Sequence, residues 1–325
     1  MVFMPTSGSR TAEAMALSKN ALAKNALAKN AVANNAKARA ATASDADRIE
    51  VRKTYKLYIG GAFPRSESGR SYVVAAADGA PLANANRASR KDLRDAVRAS
   101  RKAFPGWADK TAMNRGQVLY RVAELMEGRR DQFADEVRQA EGVTVARARE
   151  ITLRAIDRWV WYAGWADKIA QVLGASNPVA ADYFNFTIPE ATGVVGLVAS
   201  ETSSLLGLVS RLAPPLVTGN AVVVLASETR PLPAITLTEV LATSDVPAGV
   251  VNVLTGRKRE LVPVLAAHVD VDAIDVWGVP DELRTDTELA AILGDVKARV
   301  VANVERRVVA FDLEPRAVRN VSCGA

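Results

Sequence analysis

Apolar and polar positions change rhythm twice along the chain. Up to about residue 48 they form no usable pattern: "SKNALAKNALAKNAVANNAKARAATAS" repeats an Asn-Ala-Leu-Ala-Lys unit every five residues. Five residues advance an α-helix by about 140°. Leu17, Leu22, Leu27 and Val32 therefore spiral round the axis and give no stripe to bury. Residues 1–48 read as a low-complexity, partly helical basic Ala/Lys/Asn tail.

From Tyr55 the rhythm becomes that of folded structure. "YKLYIGGAF" predicts a strand entering a Gly-Gly turn. Ser89, with Asp92 three residues on, predicts a capped helix start, followed by Leu93, Val97 and Phe104 at helical spacing. Residues 111–143 predict a helix pair, and "ITLRAIDRWVWYAGWADKIAQVLG" a long amphipathic helix in which Trp159, Trp161 and Trp165 serve packing. "ADYFNFTIPEATGVVGLVAS" alternates like extended structure.

From Gly193 the pattern alternates between short apolar runs and helical stretches. Strands are predicted at about 193–199, 221–226, 250–254 and 272–276, and helices at about 205–217, 232–242, 258–267 and 281–293. Such βα alternation implies an α/β fold with a Rossmann-like parallel sheet. "VKARVVANVERRVVAFDLEPRAVRNVSCGA" adds one or two strands.

Composition narrows the function classes. The chain has 325 residues and a formal net charge of +6. Much of that excess lies in the tail, where Arg10, Lys19, Lys24, Lys29, Lys37 and Arg39 face only Glu13. The body is close to neutral, which argues against a nucleic-acid face on it. No run is long enough for a membrane span. A single cysteine, Cys323, excludes an internal disulfide and points to a reducing, cytoplasmic compartment. A single histidine, His268, leaves no multi-histidine metal site, and its place at a helix end reads as structural.

Residues 55–305 resemble the NAD(P)-dependent aldehyde dehydrogenase superfamily. The resemblance rests on "YIGGAF", on the helical segment with Trp107 and Arg115, and above all on "ATGVVGLVAS", "LAPPLVTGNAVVVLASETRPL" and "VPAGVVNVLTG". It implies that residues 49–305 form that family's coenzyme-binding domain, with a helical N-terminal region and an oligomerisation strand at about 181–190. The catalytic domain would be largely missing, and residues 306–325 would be a divergent end.

Taken position by position, the resemblance implies lost chemistry. Where the family has Pro-Trp-Asn-Phe, whose Asn stabilises an oxyanion, this chain has Ser200, Glu201, Thr202 and Ser203, with Thr202 at the Asn position and Glu201 bringing charge of the wrong sign. Leu225 stands where a lysine would hold the adenosine ribose, while the following Glu228 is retained. The Gly-Ser-Thr-x-x-Gly turn for the pyrophosphate becomes Gly278-Val279-Pro280-Asp281-Glu282-Leu283. The general-base position falls on Asn303, with Glu305 nearby as a candidate, and the family's cysteine position lies past the last residue, leaving Cys323 as the candidate nucleophile. Glu228, Gly256 and Gly278 are the cofactor-binding candidates; no cofactor is expected, and NAD(P) if any.

The expectation is a non-catalytic subunit that joins a full-length catalytic aldehyde dehydrogenase as a hetero-oligomer, through a helix at 281–296, with an apolar side of Leu283, Leu289, Ile292 and Leu293, and through the strand at 181–190. The alternatives are an oxidoreductase with a residual or altered NAD site, and a scaffold or tether that uses the basic tail.

Overall fold

The computed structural model describes residues 51–178, 180, 183–293, 297–299 and 321–324. The predicted basic tail and residues 300–320, including Asn303 and Glu305, lie outside the described residues.

The body opens with strands β1 (Thr54–Tyr55), β2 (Ser71–Ala75) and β3 (Pro81–Asn86), a small sheet in the order β1-β3-β2. The predicted strand at "YKLYIGGAF" is shorter than expected. Tyr58 instead exchanges two backbone hydrogen bonds with Val253, and Ile59 pairs with Ala62 across the Gly60-Gly61 turn. Strands β2 and β3 were not predicted, because "PLANAN" carries a proline and two asparagines and reads as turn. What makes it a strand is burial: Ala83 and Ala85 pack with Val74, Leu232 and Ile235.

Helix α1 (Arg90–Ala108) starts at the predicted capping box. Ser89 Oγ accepts from the N–H groups of Lys91 and Asp92, and Asp92 accepts from the N–H of Ser89. Helices α2 (Ala112–Glu127) and α3 (Arg130–Glu141) are the predicted pair. The predicted single long helix is two: α4 (Val145–Trp165) starts six residues earlier, at the Thr144 cap, and a turn then leads to the short α5 (Ile169–Leu173). Lys168 Nζ donates to the Gly164 carbonyl at 2.7 Å in this turn, a bond outside the helical ladder. Trp159 is buried in the core as expected, but Trp161 is 45% exposed, with its ring 6.1 Å from that of Trp165. Helical spacing turns position 161 away from the side that meets α2, α3 and α6.

Strands β4 (Ala175–Ser176) and β5 (Tyr183–Thr187) pair antiparallel. The main sheet follows, with β6 (Val194–Val198), α6 (Leu206–Val217), β7 (Ala221–Leu225), α7 (Leu232–Leu241), β8 (Val251–Leu254), α8 (Lys258–Ala266), β9 (Ala273–Asp275), α9 (Asp281–Leu293) and β10 (Lys297–Arg299). Its five strands run parallel in the order β10-β9-β6-β7-β8. Strand β11 (Val321–Gly324) pairs with β5, opposite β4, and places Cys323 beside Phe184 in that separate sheet.

Alternation along the strands assigns the two faces. Leu197, Val222, Val224 and Val253 pack with α2, α3, α4, α6 and α7. Val194, Val198, Val223, Leu225, Leu254 and Ile274 pack with α1, α8 and α9. Each such side chain contributes about 1.5–3 kcal/mol by leaving water. The two residues singled out as Trp and Arg tie α1 and α2 to the far end of α6: Trp107 Nε1 donates to the Leu216 carbonyl at 3.0 Å, and Arg115 Nε to that of Val217 at 3.0 Å. His268 is half-buried past α8, where its Nδ1 accepts from the Asp270 N–H at 3.2 Å; burial lowers its pKa, in keeping with a structural role.

Candidate functional site

Four strand ends converge on one edge of the parallel sheet. Ala199 to Thr202 follow β6, Ala226 to Thr229 follow β7, Thr255 to Arg257 follow β8, and Val276 to Gly278 follow β9. Parallel strands all deliver their carboxyl ends to the same side, so these turns form one crevice.

Lys258, the first residue of α8, points into it. The side chain is 3% exposed, and its Nζ lies 2.5 Å from the Ala199 carbonyl, 2.9 Å from that of Gly278 and 2.5 Å from Glu201 Oε1. Three acceptors match the three N–H bonds of an ammonium. Glu201, expected to bring charge of the wrong sign near the oxyanion donor, has its carboxylate held by Lys258 and by the turn after β7. Its Oε2 accepts from Ser227 Oγ at 2.6 Å, Thr229 Oγ1 at 2.6 Å and the Thr229 N–H at 3.0 Å, while Oε1 accepts the Glu228 N–H at 2.9 Å. Burial by itself would raise the Glu201 pKa. The Lys258 charge and the Lys258, Ser227 and Thr229 hydrogen bonds outweigh it and pull the carboxyl down to about 2.

The candidate cofactor residues are all engaged within the chain. Glu228 accepts from Arg257 Nη1 at 2.5 Å and from the Lys258 N–H at 3.0 Å. Gly256 has φ +155°, a conformation side chains rarely adopt, and a Cβ there would come within 3.2 Å of the Ala88 backbone nitrogen. A Cβ on Gly278 would lie 2.3 Å from the Val198 carbonyl oxygen, so this glycine is required by contact with its own sheet. Leu225, at the ribose-lysine position, is 2% exposed in the core. Asp281 and Glu282 are exposed in the first turn of α9, where their charge suits the helix N-terminus.

The turn after β6 closes on itself. Thr202 Oγ1 lies 2.9 Å from Ser200 Oγ, which also accepts the Thr202 N–H at 3.1 Å. Ser203 Oγ accepts the Gly207 N–H at 2.9 Å, and Ser204 donates its N–H and hydroxyl to Glu141 Oε1 at 2.8 and 2.7 Å. On the β9 side the Trp277 ring lies over α6: a Cβ on Gly207 would stand 3.2 Å from it, and Arg211 sits 4.9 Å from its centroid. Arg211 also faces Asp275 at 3.5 Å, both side chains being nearly buried.

Lys258 belongs to the site but falls in no motif of the family resemblance. "TGRKRELV" carried a signal: three consecutive basic residues at a helix start oppose the helix dipole, so at least one needs an acidic partner. Among the described residues no group of His, Cys, Asp and Glu could hold a metal ion, and no helix is long and apolar enough to cross a membrane.

Comparison with known proteins places this site in context. Residues 63–285 match the model of the aldehyde dehydrogenase family. Retinal dehydrogenase 2 of Gallus gallus is 33% identical over 263 residues, which is 79% of this chain and 48% of that protein. An aldehyde dehydrogenase of Aspergillus niger is 29% identical over 253 residues, 77% of this chain and 50% of that protein. Among solved structures, HpcC of Thermus thermophilus is 27% identical with a TM-score of 0.71, over 76% of this chain and 47% of its own. PnpE in complex with nicotinamide adenine dinucleotide is 26% identical with a TM-score of 0.71, over 75% of this chain and 50% of its own. The chain thus spans about half the length of the curated relatives it matches.

Proposed function

The chain belongs to the aldehyde dehydrogenase family, and on that premise we propose that it is a non-catalytic member that assembles with and supports a catalytic aldehyde dehydrogenase. The observation that carries the reading is Thr202. It holds the position of the oxyanion donor, and its hydroxyl is bonded to Ser200 within a closed turn. Removing one preorganised donor from such a site lowers the rate by roughly 100–1,000-fold.

The cofactor side supports the same reading. A dinucleotide's pyrophosphate needs free N–H groups at a helix N-terminus, and its ribose needs an available acceptor. Here Glu228 is held by Arg257 and the Lys258 N–H, and the three N–H bonds of Lys258 are matched by three acceptors. These bonds within the chain support a reading in which no NAD(P) is held there.

For assembly we propose α9 and the sheet of β4, β5 and β11 as the surfaces. Leu283 and Ala291 of α9 pack inward against the core, which leaves Asp281, Glu282, Thr285 and Asp286 exposed. A partner at that helix would then meet a mainly acidic face with basic groups. Strand β5 has β4 on one edge and β11 on the other, so a partner strand would extend the sheet at β4 or β11.

The test is purification of the tagged chain from its own cells under native conditions, with identification of what co-elutes and an aldehyde-dependent NAD reduction assay of the isolated chain. Stoichiometric co-elution of a catalytic aldehyde dehydrogenase, with no turnover by the isolated chain, is the expected result. Turnover by the isolated chain overturns it in favour of an oxidoreductase with an altered site.

A further inference from the structure

The order β10-β9-β6-β7-β8 reverses at β6. The chain steps outward from β6 to β7 and β8, then returns to lay β9 on the other side of β6. Open parallel sheets take their ligands in the crevice beyond the strand ends at such a reversal. Here the two flanking ends are Ala199, just past β6, and Gly278, just past β9. Lys258 Nζ is hydrogen-bonded to both of their carbonyls. Glu201 sits on the same ammonium and fastens it to the turn after β7 through Ser227, Glu228 and Thr229. Trp277, between β9 and Gly278, lays its ring against Gly207 of α6.

We propose that Lys258, Glu201 and Trp277 are a built-in occupant of this crevice, which lets the domain complete its fold without a dinucleotide and leaves it unresponsive to one. This deepens the non-catalytic part of the reading above and is independent of its assembly part. The charges are arranged for the role. A lone buried ammonium at a helix start would draw a phosphate, but here a carboxylate neutralises it and would repel the incoming anion. The ammonium bridges carbonyls that belong to two different strand ends. The ring packs on the α6 side, against Gly207 and under Arg211.

Two measurements on the purified full chain test this. The first is thermal melting with NAD, NADP or 5′-AMP at about 1 mM. A ligand that bound the native state with micromolar affinity would raise the melting temperature by several degrees; no shift is expected. The second is melting of Glu201→Gln, Lys258→Met and the double variant. Glu201→Gln leaves the buried Lys258 ammonium without its carboxylate and is expected to lower the melting temperature by about 5 °C or more, whereas Lys258→Met leaves a partly exposed carboxylate and is expected to lower it by less. The double variant removes both charges and is expected to recover at least half of the larger single loss. A dinucleotide-induced rise in the wild type overturns the proposal, and so does simple addition of the two single losses. If Lys258→Met does not fold, the wild-type titration decides alone. Should NAD protect the wild type while the isolated chain stays inactive and co-elutes with an active dehydrogenase, the occupant fails and the subunit reading stands. Turnover without any NAD protection would sink the subunit reading instead.

Discussion

Lys258 Nζ lies 2.5 Å from Glu201 Oε1, with the lysine 3% exposed and the glutamate 35% exposed. The pair makes stability depend on acid. Glu201 ionises at about 2 in the folded chain against an ordinary 4.5. A depressed carboxylate contributes stability that is fully present above the unfolded value and lost as pH falls towards the folded one. Denaturant titrations should show wild-type stability falling between pH 4.5 and pH 2 by about 1–2 kcal/mol more than in Glu201→Gln. That figure is reduced from the full shift because the carboxylate is partly solvated. Parallel curves for the two proteins would remove the ion pair's role.

Glu136 behaves in the opposite sense. Thr236 and Gln132 donate to its Oε1 at 2.7 and 3.1 Å, while its Oε2 is buried without a hydrogen-bond partner. Burial raises its pKa to about 7, with Glu239 adding to the rise and Arg129 opposing it. A raised carboxyl holds its proton in the folded state and loses it in the unfolded one, so its contribution falls as pH rises from 4.5 to 7. Glu136→Gln should therefore stabilise the protein by about 2 kcal/mol at pH 8 and leave it nearly unchanged at pH 5. Urea unfolding at both values measures the difference.

Arg101 and Asp272 join three elements. The Arg101 guanidinium donates to Asp272 Oδ2 at 2.6 Å and to the Asp270 carbonyl at 2.7 Å, and the same carboxylate oxygen accepts the Val194 N–H at 2.7 Å. Helix α1 is thereby tied to the starts of β6 and β9. Asp272→Ala should cost about 2 kcal/mol, because a backbone N–H loses its acceptor. Arg101→Ala should cost about 1 kcal/mol, being a third exposed. A double-mutant cycle should return a coupling of at least about 0.5 kcal/mol; strict additivity would contradict the contact.

Gly207 and Trp277 are matched by size. A Cβ on Gly207 would meet Ser203 Cβ at 2.9 Å and the Trp277 ring at 3.2 Å. Gly207→Ala should destabilise by about 1–3 kcal/mol. Adding Trp277→Ala should make the pair less damaging than the sum of the two, as read from melting curves of the four proteins.

What the sequence by itself determined was the framework. The strands β6 to β9 and the helices α6 to α9 stand within a few residues of where apolar periodicity put them, because these elements are built from local spacing. Ser89 and Asp92 announced the start of α1 for the same reason. The rhythm could not reveal β2 and β3, which are strands only because Leu232 and Ile235 cover Ala83 and Ala85. Nor could it show that Trp161 would be left at the surface while Trp159 was buried. The substitutions at Thr202, Leu225 and Val279–Leu283 were readable as departures from a family pattern, but their meaning was not. Only tertiary structure decided that the Glu201 carboxylate is held by Lys258, and that Glu228 and Gly278 make contacts within the chain. Those contacts join residues far apart in sequence, and the direction of a carboxylate is set by the partners that folding brings within about 3 Å of it.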